Sequence, residues 1–213
     1  MSSDDSERLP PLPPQYQRAI ELIDSAHAED PNLVDGPDGP KTLAYELHYA
    51  RKMTRWLARR RPDASPVLQV ACRAQHFRRW ELPRSSFPTG RAGYLTWRAK
   101  QKSLAASRVA ELLASPSVEP AIPQEDRDRV AALIRKEALA TNEETQALED
   151  VACLVFLDDQ FDDFERRAGL DEDKMVGILR KTWGKMSEPG RQLALAMDLS
   201  DRATALIGKA LES

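Results

Sequence analysis

Three observations predict an all-α fold. Apolar residues recur at intervals of three and four along nearly the whole chain, few stretches alternate with period two, and clusters of proline and glycine punctuate the periodic segments. About eight helices are expected, in a single domain over 15–213 that follows a disordered or extended leader over 1–14. The length of 213 residues suits one domain, since domains commonly run to roughly 100–200 residues. The leader combines Ser, Asp and four prolines after Leu9, a composition with too little apolar surface to form a core.

The first helix is expected from about Gln15 to Ala28, with Ile20 and Ile23 facing inward. A turn follows in DPNLVDGPDGP, whose prolines and glycines forbid helix. Thr42 reads as the N-cap of a helix reaching about Arg60, with the stripe Leu43, Leu47, Ala50, Met53 or Thr54 and Leu57. Ser65 and Pro66 form a cap followed by proline at the first helical position. They open a helix through Val67, Val70, Ala71 and Ala74, with His76 in its last turn. The link LPRSSFPTGRAG leads to a long helix from about Tyr94 to Ala114. Pro123 begins the next, with the stripe Val130, Leu133 and Ile134. Thr141-Asn-Glu-Glu144 has the capping-box pattern and starts the most apolar helix, which contains VACLVFL. Two further amphipathic helices are expected at about Glu172–Lys185 and Pro189–Leu211.

Charged residues make up 31% of the chain, yet the net charge is only −3 and the pI about 5.7. No strong overall field is expected to draw the protein to nucleic acid or to a membrane, and nucleic acid is not expected as the main partner. No apolar run approaches the roughly 20 residues of a membrane span, and MSSDDSERLPPLPP lacks the features of a secretory signal, so a cytoplasmic location is expected. Cys72 and Cys153 both lie in apolar helical pattern and read as buried thiols.

The informative signals are polar residues where a stripe predicts apolar ones, because burying such groups costs free energy unless they are paired or bind a metal. His48 lies at the edge of a core face, and His76 ends the following helix. Asp150 shares a face with Ala147, Leu154, Leu157 and Phe161, and Glu137 extends the stripe Val130, Leu133, Ile134. Each has a structural explanation alone; together they are ligand types for a divalent metal. His27, beside acidic residues on the first helix, reads as structural or surface.

The order of these residues resembles the HD superfamily of metal-dependent phosphohydrolases over roughly Lys41 to Phe164. HYARKMTRWLARRRPDASPVLQVACRAQH, from His48 to His76, looks like its first two histidine elements. LEDVACLVFLDD places Asp150 where the family keeps its last aspartate. The whole chain is also similar to a family of about 200-residue proteins described as a domain of unknown function. The resemblance implies an HD-like helical bundle and a metal centre (Mn, Fe, Zn or Mg) held by His48, His76 and Asp150. Phe77 stands where the HD pattern has aspartate, so Glu81 or Glu137 is the candidate replacement, and Glu137 falls near an additional ligand position of some HD proteins.

In that reading Asp150 and Glu137 serve the catalysis, and a metal-bound water attacks the phosphorus of a small phosphorylated or nucleotide-like substrate. Arg73, Arg78, Arg79, Lys100 and Lys102 are the cations expected to hold this small anion. Trp80 and Trp97 lie among them, as interhelical packing or as platforms for a base or sugar. The acidic residues Asp158, Asp159, Asp162 and Asp163 read as surface. Two other classes remain open: an HD-like scaffold that binds a small anion or a protein without catalysis, and an iron-dependent oxygenase or oxidase.

Overall fold

A computed structural model describes residues 8–36, 39–161 and 171–212. Residues 1–7 of the expected leader, and Asp162 and Asp163 of the acidic stretch, lie outside the described residues. The chain is mostly helical and divides into two compact units, Met1–Ala138 and Leu139–Ser213.

The first unit opens with α1, Pro14–His27, whose two N-terminal prolines occupy positions where a missing N–H costs nothing. Before it, the Pro10 carbonyl accepts from the Gln69 side chain. Two short antiparallel strands follow, β1 (Leu33–Gly36) and β2 (Gly39–Ala44). The breaker-rich stretch expected to be a plain turn is therefore a hairpin, and Thr42 is a strand residue rather than a helix cap. Helix α2, Tyr45–Arg60, is started instead by Asp30, a buried residue whose carboxylate accepts the Glu46 backbone N–H at 3.0 Å. Ile23, Met53 and Leu57 are fully buried.

Ser65 caps α3, Pro66–Arg73, by accepting from the Leu68 N–H. This helix ends three residues short of His76, which therefore sits in tight turns beyond it rather than in its last turn. Helix α4, Gly90–Leu113, begins a turn earlier than its apolar pattern suggests. Gly93 tolerates no side chain there, since a Cβ would stand 2.0 Å from the Pro88 carbonyl oxygen. Helix α5 is Gln124–Arg135. Helix α3 packs on α1, α2 and α5, and α4 packs along α5. The Tyr16 hydroxyl donates to Asp126, tying α1 to α5.

The second unit holds α6 (Glu143–Val155), α7 (Glu172–Lys185), α8 (Glu188–Leu195) and α9 (Asp201–Leu211). Asn142, rather than Thr141, caps α6 by accepting from the Thr145 N–H. VACLVFL carries α6 into a wider π-type turn at Phe156–Gln160. The single helix expected over Pro189–Leu211 is two, because Ser200 caps a fresh start by accepting from the Ala203 N–H. Helix α6 packs on α7 and α8, and α7 on α9. Both cysteines are free thiols in buried positions.

Candidate active site

The stretch from Ala74 to Glu81 builds a polar cluster in the first unit. After α3 the backbone makes successive turns, with the Phe77 N–H on the Ala74 carbonyl and the Arg79 N–H on the His76 carbonyl. Arg78 takes a left-handed φ of +52°, a conformation costly for a residue with a side chain, and it folds Arg79 back toward His76. Phe77 is buried edge-on against the His27 ring, so the residue in the aspartate position of the HD pattern anchors this turn in the core. From the other side α4 holds the segment. The Trp97 indole N–H donates to the Leu82 carbonyl, and Gln101 donates to the carbonyls of Arg79 and Leu82.

His76 is fixed on three sides. Tyr49 of α2 stacks on its ring at 3.9 Å and 9°. Arg79 donates from Nη1 to Nε2 at 2.9 Å. Because a guanidinium only donates, Nε2 carries no proton and Nδ1 does. Nδ1 faces Glu46 Oε2 at 3.5 Å, too far for a hydrogen bond, and both atoms are buried without any hydrogen-bond partner. The imidazole still exposes 19% of its side-chain surface.

The electrostatics match the geometry. Burial, then the charges of Arg79, Lys136 and Arg98, hold the His76 pKa well below that of an ordinary histidine. Burial raises the Glu46 carboxyl to about 8; Arg79 opposes the rise and Asp30 adds to it. At neutral pH the imidazole is thus uncharged and Glu46 holds its proton. The cluster contains many donors and few acceptors, and its charge is carried by arginine and lysine.

Arg79 differs from the neighbouring arginines. Arg73 makes two 2.6 Å bonds to Asp24 and a third at 2.9 Å to Thr54. Arg78 pairs with Glu29 and Glu81. Arg79 lies over the Trp97 ring at 4.7 Å, and its one hydrogen-bond acceptor among the described residues is the neutral imidazole. Lys100 is exposed on α4, and Lys102 is half-buried with contacts of its own.

The other expected ligands have surroundings of their own. His48 is two residues from Glu46 on α2, about 200° around the helix, so it points away from the face that meets His76. Glu81 bridges Arg78 and Arg108. Glu137 is exposed and paired with Arg135 at 2.5 Å. Asp150 belongs to the second unit and is completely buried. Its Oδ1 accepts from the Ser187 N–H and the Gln146 amide, and its Oδ2 accepts from the Ser187 hydroxyl. With the oxygens of Asp150 engaged and both nitrogens of His76 facing protein groups, these residues as placed do not fit the implied metal. Among the described residues no three His, Cys, Asp or Glu side chains gather to hold one.

Sequence reasoning missed Glu46 and Tyr49. Their signal was available: Glu46, Tyr49, Ala50 and Met53 share one helical face, on which Glu46 is a buried carboxylate. Asp150, expected on a core face, is on one. His27 is structural, with its Nε2–H donating to the Arg73 carbonyl at 3.0 Å and burial lowering its pKa to about 4.

Comparisons with curated proteins and with solved structures found no match. A family described as a domain of unknown function, DUF4202, matches residues 17–207, nearly the whole chain, and the protein belongs to that family.

Proposed function

We propose that the first unit binds a small phosphorylated anion at Arg79 and hydrolyses it with His76 as the general base, in a divergent HD-like hydrolase. The observation that carries this reading is the unmatched guanidinium. Arg79 has five N–H donors, and its one acceptor is an uncharged nitrogen at 2.9 Å, where the surrounding arginines have carboxylates or carbonyls. A phosphoryl group supplies the missing charge and acceptors, and arginine matches it with paired donors.

Capture of the anion would draw Arg79 off Nε2 and partly cancel the positive field of Arg79, Arg98 and Lys136 at the ring. Both changes raise the basicity of His76. The freed Nε2 takes a proton from water, the resulting hydroxide forms a bond to phosphorus, and the bond to the leaving oxygen breaks. The imidazolium returns its proton to that oxygen. Tyr49 keeps the ring in place by stacking, and the Glu46 carboxyl faces the Nδ1–H side as charge develops. The order of His48, His76 and Asp150 along the chain supports the HD-like part of the reading.

The test is phosphate release from a panel of phosphomonoesters and nucleotides, with and without a metal chelator. Chelator-insensitive turnover is expected, with His76→Gln lowering kcat by at least about 100-fold and Arg79→Ala chiefly raising KM. Turnover that needs Mn, Fe, Zn or Mg would overturn the base assignment. Phosphate binding that Arg79→Ala abolishes, without any turnover, would leave a binding scaffold instead.

A further inference from the structure

The side of α2 turned away from His76 carries a row of cations. Arg51, Arg55 and Arg59 recur at every fourth residue, with Lys52 beside them and His48 at the N-terminal end. At about 100° per residue these five positions fall within one stripe roughly 100° wide. The three arginines are exposed. No acidic residue occurs between Glu46 and Asp63. Neither Arg51 nor Arg55 meets a carboxylate among the described residues, and Arg59 lies over the Trp56 ring at 5.0 Å. The stripe belongs to a wider bias: residues 51–110 contain 15 Lys and Arg against two Asp and Glu.

We infer that this stripe of α2 is a docking surface for the sugar-phosphate backbone of a nucleic-acid strand, separate from the His76 cluster and independent of its chemistry. Charge complementarity and spacing carry the choice of partner. Arginines one helical turn apart are separated by about 6 Å along the axis, close to the stride of phosphates along a strand. Arginine's planar fork suits phosphate oxygens better than the point charge of lysine. A lipid surface fits less well, because membrane-lying helices insert large apolar side chains and none of the exposed large apolar residues is on α2. An acidic helix matches this stride only where its own sequence repeats a carboxylate every fourth residue, whereas a nucleic-acid backbone carries a charge at every nucleotide. The stripe makes backbone contacts without base edges, so binding would show little sequence preference.

The experiment is fluorescence anisotropy of the full chain with labelled 20-nucleotide single strands and duplexes of two unrelated sequences, across a salt series. Arg51→Glu/Arg55→Glu is the test variant, and its fold is checked by circular dichroism. The expected result is binding of similar strength to both sequences, with log affinity falling by about two to four per tenfold rise in salt, as for three or four phosphate contacts. The double variant should lose at least tenfold in affinity while keeping its helical spectrum and any phosphate binding at Arg79. No binding at low salt would overturn the inference. So would an unaffected double variant, or tighter binding to anionic vesicles or a poly-glutamate peptide than to either nucleic acid. Because the variant spares Glu46, His76 and Arg79, failure here leaves the hydrolase reading standing, and the reverse also holds.

Discussion

Glu46 keeps its proton through neutrality because its carboxyl is buried beside Asp30 and makes no hydrogen bond at Oε2. Two histidines are perturbed in the opposite sense, His27 to about 4 and His76 well below its usual value, both by burial. The signs give a stability profile. Glu46 binds its proton more tightly folded than unfolded, so its contribution is present below about 4.5 and is lost as pH rises through about 8. The histidines stay neutral when folded, so their contribution is present above about 6.5 and is lost as pH falls through their folded pKa values. Between about 4.5 and 6.5 two histidines outweigh one carboxyl and stability rises with pH; above 6.5 Glu46 alone acts and stability falls. Chemical denaturation across pH 5–9 should show a maximum near 6.5. Glu46→Gln should flatten the fall between 6.5 and 8, which at about 1.4 kcal/mol per pKa unit amounts to about 2 kcal/mol. An unchanged slope in that variant would mean that Glu46 titrates normally and that the cluster lacks the electrostatics assigned to it.

At the scale of elements, Asp150 explains why α8 starts where it does. Its carboxylate takes the N–H and hydroxyl of Ser187, the cap of α8, while Ser187 accepts from the Gly190 N–H. The approach is so close that a Cβ on Gly190 would stand 2.7 Å from the Asp150 carboxyl carbon. Asp150→Ala removes a fully buried acceptor, leaving the Ser187 N–H and hydroxyl without it and the Gln146 amide with the Lys185 carbonyl alone, and should destabilise the second unit by about 2–4 kcal/mol. Gly190→Ala should do comparable damage through the clash. Thermal denaturation in chelator and in added Mn checks the assignment: a capping role gives the same loss in both, whereas a ligand role gives a loss only with metal. This case marks how far the sequence is legible. Asp150 on an apolar face correctly signals a buried, partnered carboxylate, but its partner is 37 residues away on a helix start, and no local pattern separates that from a metal. The helices that were read well, such as α1, α5 and α7, carry both periodicity and end signals. The hairpin was hidden because Gly36, Pro37, Gly39 and Pro40 mark turn and strand edge alike, and the α8–α9 break was hidden within a continuous amphipathic pattern.

For the whole molecule, a net charge of −3 conceals two opposite halves. Met1–Ala138 has 22 Lys and Arg against 18 Asp and Glu, while Leu139–Ser213 has nine against 16, giving +4 and −7. The pI of about 5.7 averages them, and that average led the sequence reading to set nucleic acid aside. Salt screens charges beyond about 10 Å at 0.1 M, so a polyanion approaching α2 responds to the local stripe and not to the sum over the chain. The same physics governs adsorption to a charged support. At pH 7.5 and low salt the intact protein, although net negative, should be retained on a cation exchanger through its basic face. Arg51→Glu/Arg55→Glu should elute at clearly lower salt, while Lys174→Glu, a reversal of one sign on the acidic unit, should shift elution far less than either basic reversal. Flow-through of the wild-type chain would remove the electrostatic basis for docking a nucleic-acid backbone there.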